Sequence, residues 1–221
     1  MASDPSPQAQ VPGPVGIFPA TGMPDADWWH TLWPDPDAVV RALGVGPGMR
    51  VLDLACGDGH FTAALARCAG SGYVTGLDLD PALLARAKAR CADPSCHFRL
   101  GDAMAIRDVC PGPFDVVFMA NTFHGVPDKA RLANAVAAVL APGGRFVIIN
   151  WQARAREETV VLGAPRGPQT ALRLSPEATL EAISAAGFAR ERLVTLPPYH
   201  YGLIVHRPAA PDAKEAPAAL R

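Results

Sequence analysis

Short apolar runs alternate with amphipathic stretches along most of this chain of 221 residues. The runs predict five strands, at residues 50–54, 73–77, 97–100, 114–120 and 145–150. The fourth run, FDVVFMA, is apolar at consecutive positions, as expected for a strand buried on both faces of a parallel sheet. Alternation of this length predicts the α/β class, with a doubly wound, mostly parallel sheet and helices on both faces. Ligands of such sheets bind at the carboxyl ends of the strands.

Three predicted helices begin with an Asp-Pro or Ser-Pro pair, which places a capping side chain before a proline in the first turn. These pairs begin at Asp35, Asp80 and Ser175. The predicted helices cover residues 35–43, 60–68, 81–91, 128–140 and 175–187. Residues 151–174 show no clear period. The final apolar segments, 190–196 and 201–206, are predicted to pair as antiparallel strands.

The two ends of the chain differ in composition from the middle. Residues 1–22 and 208–221 are rich in proline and small residues and have too little apolar periodicity to fold alone. We therefore predict a disordered N-terminal segment, one domain over residues 23–207 and a disordered C-terminal tail.

Composition argues against several classes of function. A formal net charge of -1 provides no positive surface for nucleic acid or an anionic membrane. No apolar run approaches the ~20 residues that a membrane span needs. The N-terminus lacks the basic and apolar regions of a secretory signal. Five cysteines in irregular spacing argue against a disulfide framework, so reduced thiols and a cytoplasmic location are expected.

The sequence VLDLACGDG, residues 51–59, carries the clearest ligand-binding pattern. A buried strand, two glycines (Gly57 and Gly59) and the start of a helix form a turn that lets a backbone approach a nucleotide-like ligand closely. Glycine is expected there because the turn needs backbone angles that other residues avoid. A Cβ at these positions would also collide with the ligand.

The acids around this turn indicate which ligand it holds. Asp78 lies at the end of the second strand, where an acid can hydrogen-bond a ribose diol. A dinucleotide site needs a third glycine so that a pyrophosphate can approach the helix, but here Asp58 lies between only two glycines. Asp53 and Asp58 would repel a pyrophosphate and attract a cation. The pattern therefore favours S-adenosylmethionine, which carries a sulfonium and an ammonium group.

From about residue 36 to residue 206 the chain resembles the class I S-adenosylmethionine-dependent methyltransferases. The matching features are residues 51–59 (first motif), Asp78 (ribose-binding acid), 101–103 (adenine-edge motif), 114–124 (fourth motif) and 140–144 (the turn before strand five). One departure is Phe61, where the family often has a third small residue. The resemblance implies the sheet order 3-2-1-4-5-7-6, with the last strand antiparallel.

The predicted contacts to S-adenosylmethionine follow the first four strands. They are Asp53, Ala55, Gly57, Gly59, Asp78, Leu79, Asp102, Ala103 and Asn121. The resemblance implies that Asp102 accepts from the adenine amine and that the next backbone N–H meets the ring. For Asp102 a role as a turn residue is the alternative, and for Asp78 a role in capping the next helix. No metal is expected.

Residues facing the methyl acceptor should follow strands four and five and come from the N-terminal segment. His124 is the predicted general base, because it lies where strand four opens into the cleft and its ordinary pKa is near neutrality. Packing against the cofactor is its alternative role. The predicted acceptor-binding residues are Trp29, Trp33, Trp151, Arg156, Arg166, Tyr199 and His200. The alternative for Trp29 and Trp33 is an aromatic cluster on the outer face, and the alternative for Arg156 is a solvated charge run. Tyr199 and His200 could instead belong to the surface of an edge strand.

The predicted function is methylation of an O, N or C atom of a small molecule, with quinone-precursor methylation as one instance. Enzymes that methylate base amines carry [DN]-P-P-[YFW] after strand four, which this chain lacks, so a nucleic-acid substrate is not expected. The similar residues 196–199, LPPY, come too late in the chain and begin with Leu. A nicotinamide-dependent oxidoreductase and a non-catalytic S-adenosylmethionine-binding protein stay open as alternatives. The oligomeric state is not indicated.

Overall fold

The computed structural model describes residues 18–207 and is built around one large sheet. The strands are β1 Arg50–Leu54, β2 Tyr73–Asp78, β3 Cys96–Leu100, β4 Phe114–Ala120, β5 Leu140–Trp151, β6 Val160–Val161, β7 Ala164–Pro165, β8 Ala189–Leu196 and β9 His200–His206. Seven of them form a sheet in the order β3-β2-β1-β4-β5-β9-β8, and β6 pairs with β7. Strands β1 to β5 are parallel and β9 is antiparallel to both neighbours. Within this sheet β8 and β9 are the sixth and seventh strands along the chain, so the order is 3-2-1-4-5-7-6 and the prediction is confirmed.

Helices pack on both faces of this sheet, as predicted. They are α1 Ala26–Leu32, α2 Pro36–Ala42, α3 His60–Ala69, α4 Pro81–Arg90, α5 Ile106–Val109, α6 Lys129–Val139 and α7 Pro176–Ser184. Successive residues of β4 belong to different apolar clusters: Phe118 packs with residues of α2 and α3, and Met119 packs with residues of α6 and α7. No helix in residues 18–207 is long and apolar enough to cross a membrane.

Capping side chains start α2, α4 and α7 where the Asp-Pro and Ser-Pro pairs predict them. Asp35, Asp80 and Ser175 each accept from a backbone N–H two or three residues later, at distances between 2.7 and 3.1 Å. These bonds satisfy N–H groups that have no partner within the helix. The starts of these three helices are therefore confirmed.

Two regions differ from the predicted secondary structure. Residues 26–32, expected to precede the first helix, form α1, which has no side-chain cap bond but buries Trp28 and Trp29. Residues 151–174 contain the short β6–β7 pair. Both elements are too short for a period to be visible in the sequence, so tertiary packing decides them. The disorder predicted for residues 1–17 and 208–221 falls outside the described part of the chain.

A disulfide joins Cys91 to Cys96, so the expectation of reduced thiols is wrong for this pair. Cys91 follows the last residue of α4 and Cys96 begins β3, and their Cα atoms are 6.6 Å apart. That separation lies within the range that a disulfide spans. The return of the chain from helix to strand brings them together, which irregular cysteine spacing does not reveal. Cys56, Cys68 and Cys110 are free and buried.

Candidate functional site

A cleft of about 1480 Å³ opens at the carboxyl ends of β1, β2 and β4, where ligand binding is predicted. Asp53 and Ala55 line it from β1 and the turn that follows, Asp78 lines it from the end of β2, and Asn121 follows β4. Parallel strands bring these positions to one edge of the sheet although they are far apart in sequence.

The N-terminal strap, as we call residues 18–24, forms another wall of the cleft. The carbonyl oxygen of Ala20 lies 3.0 Å from Nε2 of His124. Gly125 leaves room for the strap, because a Cβ there would lie 2.3 Å from the carbonyl oxygen of Pro19. The predicted boundary at residue 22 therefore falls inside a segment that packs on the domain. Its proline- and glycine-rich composition carries no periodic signal that could have indicated this packing.

The two glycines of the turn after β1 have different surroundings. Gly57, at φ +56°, lines the cleft, and its backbone N–H donates to Oδ2 of Asp78 at 2.8 Å. Gly59, at φ +81°, precedes α3 and is not among the residues lining the cleft. A Cβ on Gly59 would lie 2.8 Å from the Cα of Ala87 in α4. In this structure the small size of Gly59 lets the start of α3 pack against α4.

Asp78, the predicted ribose-binding acid, is fixed by two backbone donors. Oδ2 accepts from Gly57, and Oδ1 accepts from the N–H of Asp80 at 2.9 Å. A carboxylate oxygen can accept more than one hydrogen bond, so both oxygens can also accept from a ribose diol. The alternative role of Asp78, capping α4, is filled by Asp80, whose Oδ1 accepts from the N–H of Ala82 at 2.7 Å. Leu79 also lines the cleft.

Asp102 and Ala103 line the cleft after β3. Oδ1 of Asp102 accepts from the N–H of Met104 at 2.8 Å and caps a short 3₁₀ helix, Ala103–Ala105. Oδ2 accepts no hydrogen bond from the described residues. Asp102 therefore fills the turn role that was its alternative. Its second oxygen stays free to accept from the adenine amine, as predicted for this residue.

The two acids expected to attract a cation have different surroundings. Asp53 is 2% exposed and accepts from Oγ1 of Thr62 at 2.6 Å. Burial raises the pKa of Asp53 to about 7, although the Thr62 hydrogen bond opposes this. Asp58 is equally buried but forms ion pairs with Arg86 at 3.2 Å and Arg90 at 2.8 Å. The charge of Asp58 is thus balanced by α4, which corrects its predicted role and leaves Asp53 as the acid for a cation.

Asn121 supplies an unpaired amide to the cleft. Its backbone is left-handed, at φ +56°, and both Oδ1 and Nδ2 are buried without a hydrogen-bond partner in the described part of the chain. Burying such groups unpaired is unfavourable, so a polar ligand that pairs with them is stabilised. These groups together fit S-adenosylmethionine. Asp78 can bind its ribose, Asp102 its adenine amine and Asp53 a cationic group, and the amide adds a further polar contact.

Four of the seven predicted acceptor-binding residues line the cleft: Trp29, Trp151, Arg156 and Arg166. Trp33, Tyr199 and His200 are not among the residues that line it. His200 is fully buried, with its ring 4.5 Å from the ring of Trp33 and 4.1 Å from that of Trp151. Tyr199 stacks on Trp151. Because β5 pairs with β9, Trp151 lies opposite His200. Tyr199 and His200 therefore pack behind the part of the cleft wall that Trp151 forms.

His124 lines the cleft as predicted, with 4% of its surface exposed. Burial lowers the pKa of its imidazole, and the charges of Lys129 and Arg173 lower that pKa further, against the hydrogen bond to Ala20. Nδ1 is buried and has no partner in residues 18–207. The ring is therefore neutral and has one unused nitrogen, Nδ1, which is buried in the wall of the cleft.

Sequence reasoning missed the residues at 169–171, which also line the cleft, and the Thr62 partner of Asp53. The first set lies in the region without a period, where no motif marks it. Thr62 lies in the first turn of α3, nine residues after Asp53, and its pairing depends on how the turn folds back.

A family model described as "Methyltransferase domain" matches residues 51–144, which include β1 to β4 and the start of β5. The ubiquinone biosynthesis O-methyltransferase of Methylococcus capsulatus is 30% identical over 183 residues, covering 75% of this chain and 72% of that protein. The chain belongs to the class I S-adenosylmethionine-dependent methyltransferases. This membership favours S-adenosylmethionine over the nicotinamide alternative.

Two further comparisons agree with this membership. The demethylmenaquinone methyltransferase of Lactococcus lactis is 36% identical over 124 residues, covering 54% of this chain and 48% of that protein. The chain thus spans about half the length of that curated relative. A crystal structure of an S-adenosylmethionine-dependent methyltransferase from Aquifex aeolicus superimposes with a TM-score of 0.67 at 24% identity, covering 77% of this chain and 88% of the other. It shows the shared methyltransferase fold.

Changing Asp78 to Asn should weaken S-adenosylmethionine binding about ten- to hundredfold. The amide has one acceptor oxygen in place of two and no charge, so Gly57, Asp80 and the ribose diol cannot all be satisfied. Isothermal titration calorimetry with S-adenosylhomocysteine measures the change. Asp93→Asn is the matched control, because Asp93 is an exposed acid that accepts only from Ser95. Equal affinities of both variants would rule out Asp78 as the ribose ligand.

S-Adenosylmethionine binding should strengthen as the pH rises toward the pKa of Asp53, about 7, and level off above it. Below this pKa Asp53 is protonated and neutral, and above it the carboxylate attracts the cationic cofactor. One linked proton allows at most about a tenfold change per pH unit. Calorimetry between about pH 5.5 and about pH 7.5 measures the slope. Asp53→Asn should flatten it, and a slope that persists in this variant would assign it to another group.

Proposed function

We propose that this protein transfers the methyl group of S-adenosylmethionine to an O, N or C atom of a small molecule. The observation that carries the proposal is the cleft at the carboxyl ends of β1, β2 and β4, in which Asp78, Asp102 and Asn121 have unused hydrogen-bonding capacity beside His124. Bound S-adenosylmethionine supplies an electrophilic methyl carbon. The chain has to hold the acceptor in line with this carbon, exclude water and remove a proton from the acceptor.

The hydrogen bond to the strap determines which nitrogen of His124 can act as the base. A carbonyl oxygen only accepts hydrogen bonds, so Nε2 carries the hydrogen that it donates to Ala20. Because the pKa of His124 is lowered, the ring is neutral at pH 7 and Nδ1 keeps its lone pair. Nδ1 is thus the atom that accepts a proton from the methyl acceptor.

The walls around His124 favour an apolar or aromatic acceptor. Trp29 and Trp151 line the cleft and are almost fully buried, and Phe18 adds a further ring from the strap. Such walls exclude water from the reacting atoms. The names of the Lactococcus and Methylococcus relatives refer to menaquinone and ubiquinone compounds, which supports an aromatic acceptor of the quinone-precursor kind.

Calorimetry followed by a turnover screen tests the proposal. Wild-type protein should bind S-adenosylmethionine and S-adenosylhomocysteine, with no detectable binding of NAD. A screen of phenols, amines and carbon acids should then yield S-adenosylhomocysteine with at least one acceptor class. Binding of NAD in preference to S-adenosylmethionine would overturn the proposal. Cofactor binding without turnover on any acceptor class would support a binding protein instead.

A further inference from the structure

Side chains of both charges line the cleft. The acids at the ends of β1, β2 and β3 are Asp53, Asp78 and Asp102, whereas Arg156 and Arg166 line the cleft from the segment after β5. Neither arginine forms an ion pair within residues 18–207. The acidic side fits the sulfonium and ammonium groups of the cofactor, and the basic side fits an anionic group.

Both arginines are anchored on a buried pair, Thr159 and Arg173. Oγ1 of Thr159 lies 2.8 Å from the carbonyl oxygens of both Arg156 and Arg166. The N–H of Arg166 donates to the Thr159 carbonyl at 2.9 Å. Nη2 of Arg173 donates to Oγ1 of Thr159 at 2.9 Å and to the Arg166 carbonyl at 3.0 Å. Thr159 is fully buried and Arg173 is 6% exposed, so both arginines start from a fixed backbone.

The two guanidinium groups keep free donors for a ligand. Nε of Arg156 donates to the carbonyl of Gly167 at 3.0 Å, which orients the group and leaves its terminal nitrogens unused. The guanidinium of Arg166 lies over the ring of Trp28, 5.3 Å from its centroid. Half-buried guanidinium forks of this kind bind planar anions through two parallel hydrogen bonds.

Arg173 adds positive charge behind this surface. It has no carboxylate partner in the described part of the chain, its Nη1 is unpaired, and it lies over the ring of Trp151 at 5.0 Å. Its charge is also one of those that lower the pKa of His124. A buried guanidinium without a counter-ion makes this side of the cleft favourable for an anion.

We propose, on the basis of the proposed function, that the methyl acceptor is an aromatic ring bearing a carboxylate, which Arg156 and Arg166 bind. Trp29 and Trp151 line the cleft and supply apolar contacts for the aromatic part. Glu157 lines the cleft from the same segment, but Arg156, Arg166 and the buried Arg173 outnumber it. The planar fork of a guanidinium matches the two oxygens of a planar carboxylate better than a tetrahedral phosphate.

Calorimetry on wild-type protein loaded with S-adenosylhomocysteine tests this assignment with three probes of similar shape. Benzoate carries the carboxylate, benzamide is its neutral counterpart, and phenyl phosphate carries a dianion. Benzoate should bind about ten- to hundredfold more tightly than benzamide, and more tightly than phenyl phosphate. Arg156→Gln and Arg166→Gln should each reduce benzoate binding by about tenfold or more and leave S-adenosylhomocysteine binding unchanged.

Arg154→Gln is the matched control, because Arg154 pairs with the exposed Glu158 and does not line the cleft. Equal binding of benzoate and benzamide, or no binding of benzoate, would overturn the assignment. Tighter binding of phenyl phosphate than of benzoate would overturn the carboxylate assignment and indicate a phosphate instead. Equal losses in the Arg154 and Arg156 variants would show a general charge effect and also overturn it. Failure of the proposed function is seen separately, as a wild-type protein that does not bind S-adenosylhomocysteine.

Discussion

Replacing His124 by glutamine should lower kcat for methyl transfer by about two to four orders of magnitude. The glutamine amide can still donate to the Ala20 carbonyl and hold the strap, but it has no basic nitrogen. The wild-type rate should fall as the pH drops, because protonation fills the lone pair of Nδ1. Since burial lowers the pKa of His124, this fall should occur below pH 6.5, the ordinary value for histidine. The variant should lack this acidic limb.

Initial rates of S-adenosylhomocysteine formation, measured against pH at saturating cofactor, report both effects. His97→Gln is the matched control, because His97 is an exposed histidine on β3, away from the cleft lining. Calorimetry should give the same cofactor affinity for wild type and both variants. An unchanged kcat in the His124 variant, with the acidic limb still present, would leave His124 only its role in holding the strap.

Replacing Gly59 by alanine should reduce the free energy of unfolding by about 2–4 kcal/mol. Part of the loss is strain, because at φ +81° an alanine is about 1 kcal/mol or more less favourable than glycine. The rest is overpacking, because the new Cβ would lie 2.8 Å from the Cα of Ala87 and 2.9 Å from its Cβ. Backbone on both sides limits relaxation, so α3 and α4 have to separate. Urea denaturation monitored by circular dichroism measures the change.

Gly48→Ala separates the two contributions. Gly48 has nearly the same backbone angle, φ +80°, but a Cβ there would meet nothing within 4 Å. This control should therefore lose only the strain contribution, about 1 kcal/mol. Equal destabilisation of the two variants would show that contact with α4 contributes nothing and that backbone strain explains the whole effect.

The sheet was predictable because its strands carry their own signal. Residues 116–120 are apolar at consecutive positions, and the structure buries residues 116–119 between two layers of helices. The caps at Asp80 and Ser175 were predictable for a similar reason, since a cap and the N–H that it accepts are two or three residues apart. Helix α1 has seven residues, and strands β6 and β7 have two residues each. The formation of these short elements depends on partners elsewhere in the chain.

The cleft was predictable to the extent that strand ends define it. Asp78 ends β2 and Asp102 comes shortly after β3, and both line the cleft. The surroundings of Gly59, Asp58 and His200 were not predictable, because they come from distant segments. Ala87 packs on Gly59, Arg90 neutralises Asp58, and Trp151 covers His200. A sequence pattern that extends over a few residues does not contain such partners.

The strap has a practical consequence for anyone preparing shortened versions of this protein. Its composition invites removal of everything before residue 23, as is commonly done to help crystals grow. Such a cut would delete the carbonyl of Ala20 that orients His124 and would uncover Gly125. A shortened protein would lack one wall of its cleft, so its assays would not represent the full chain. Cuts placed before Phe18 preserve every contact described above.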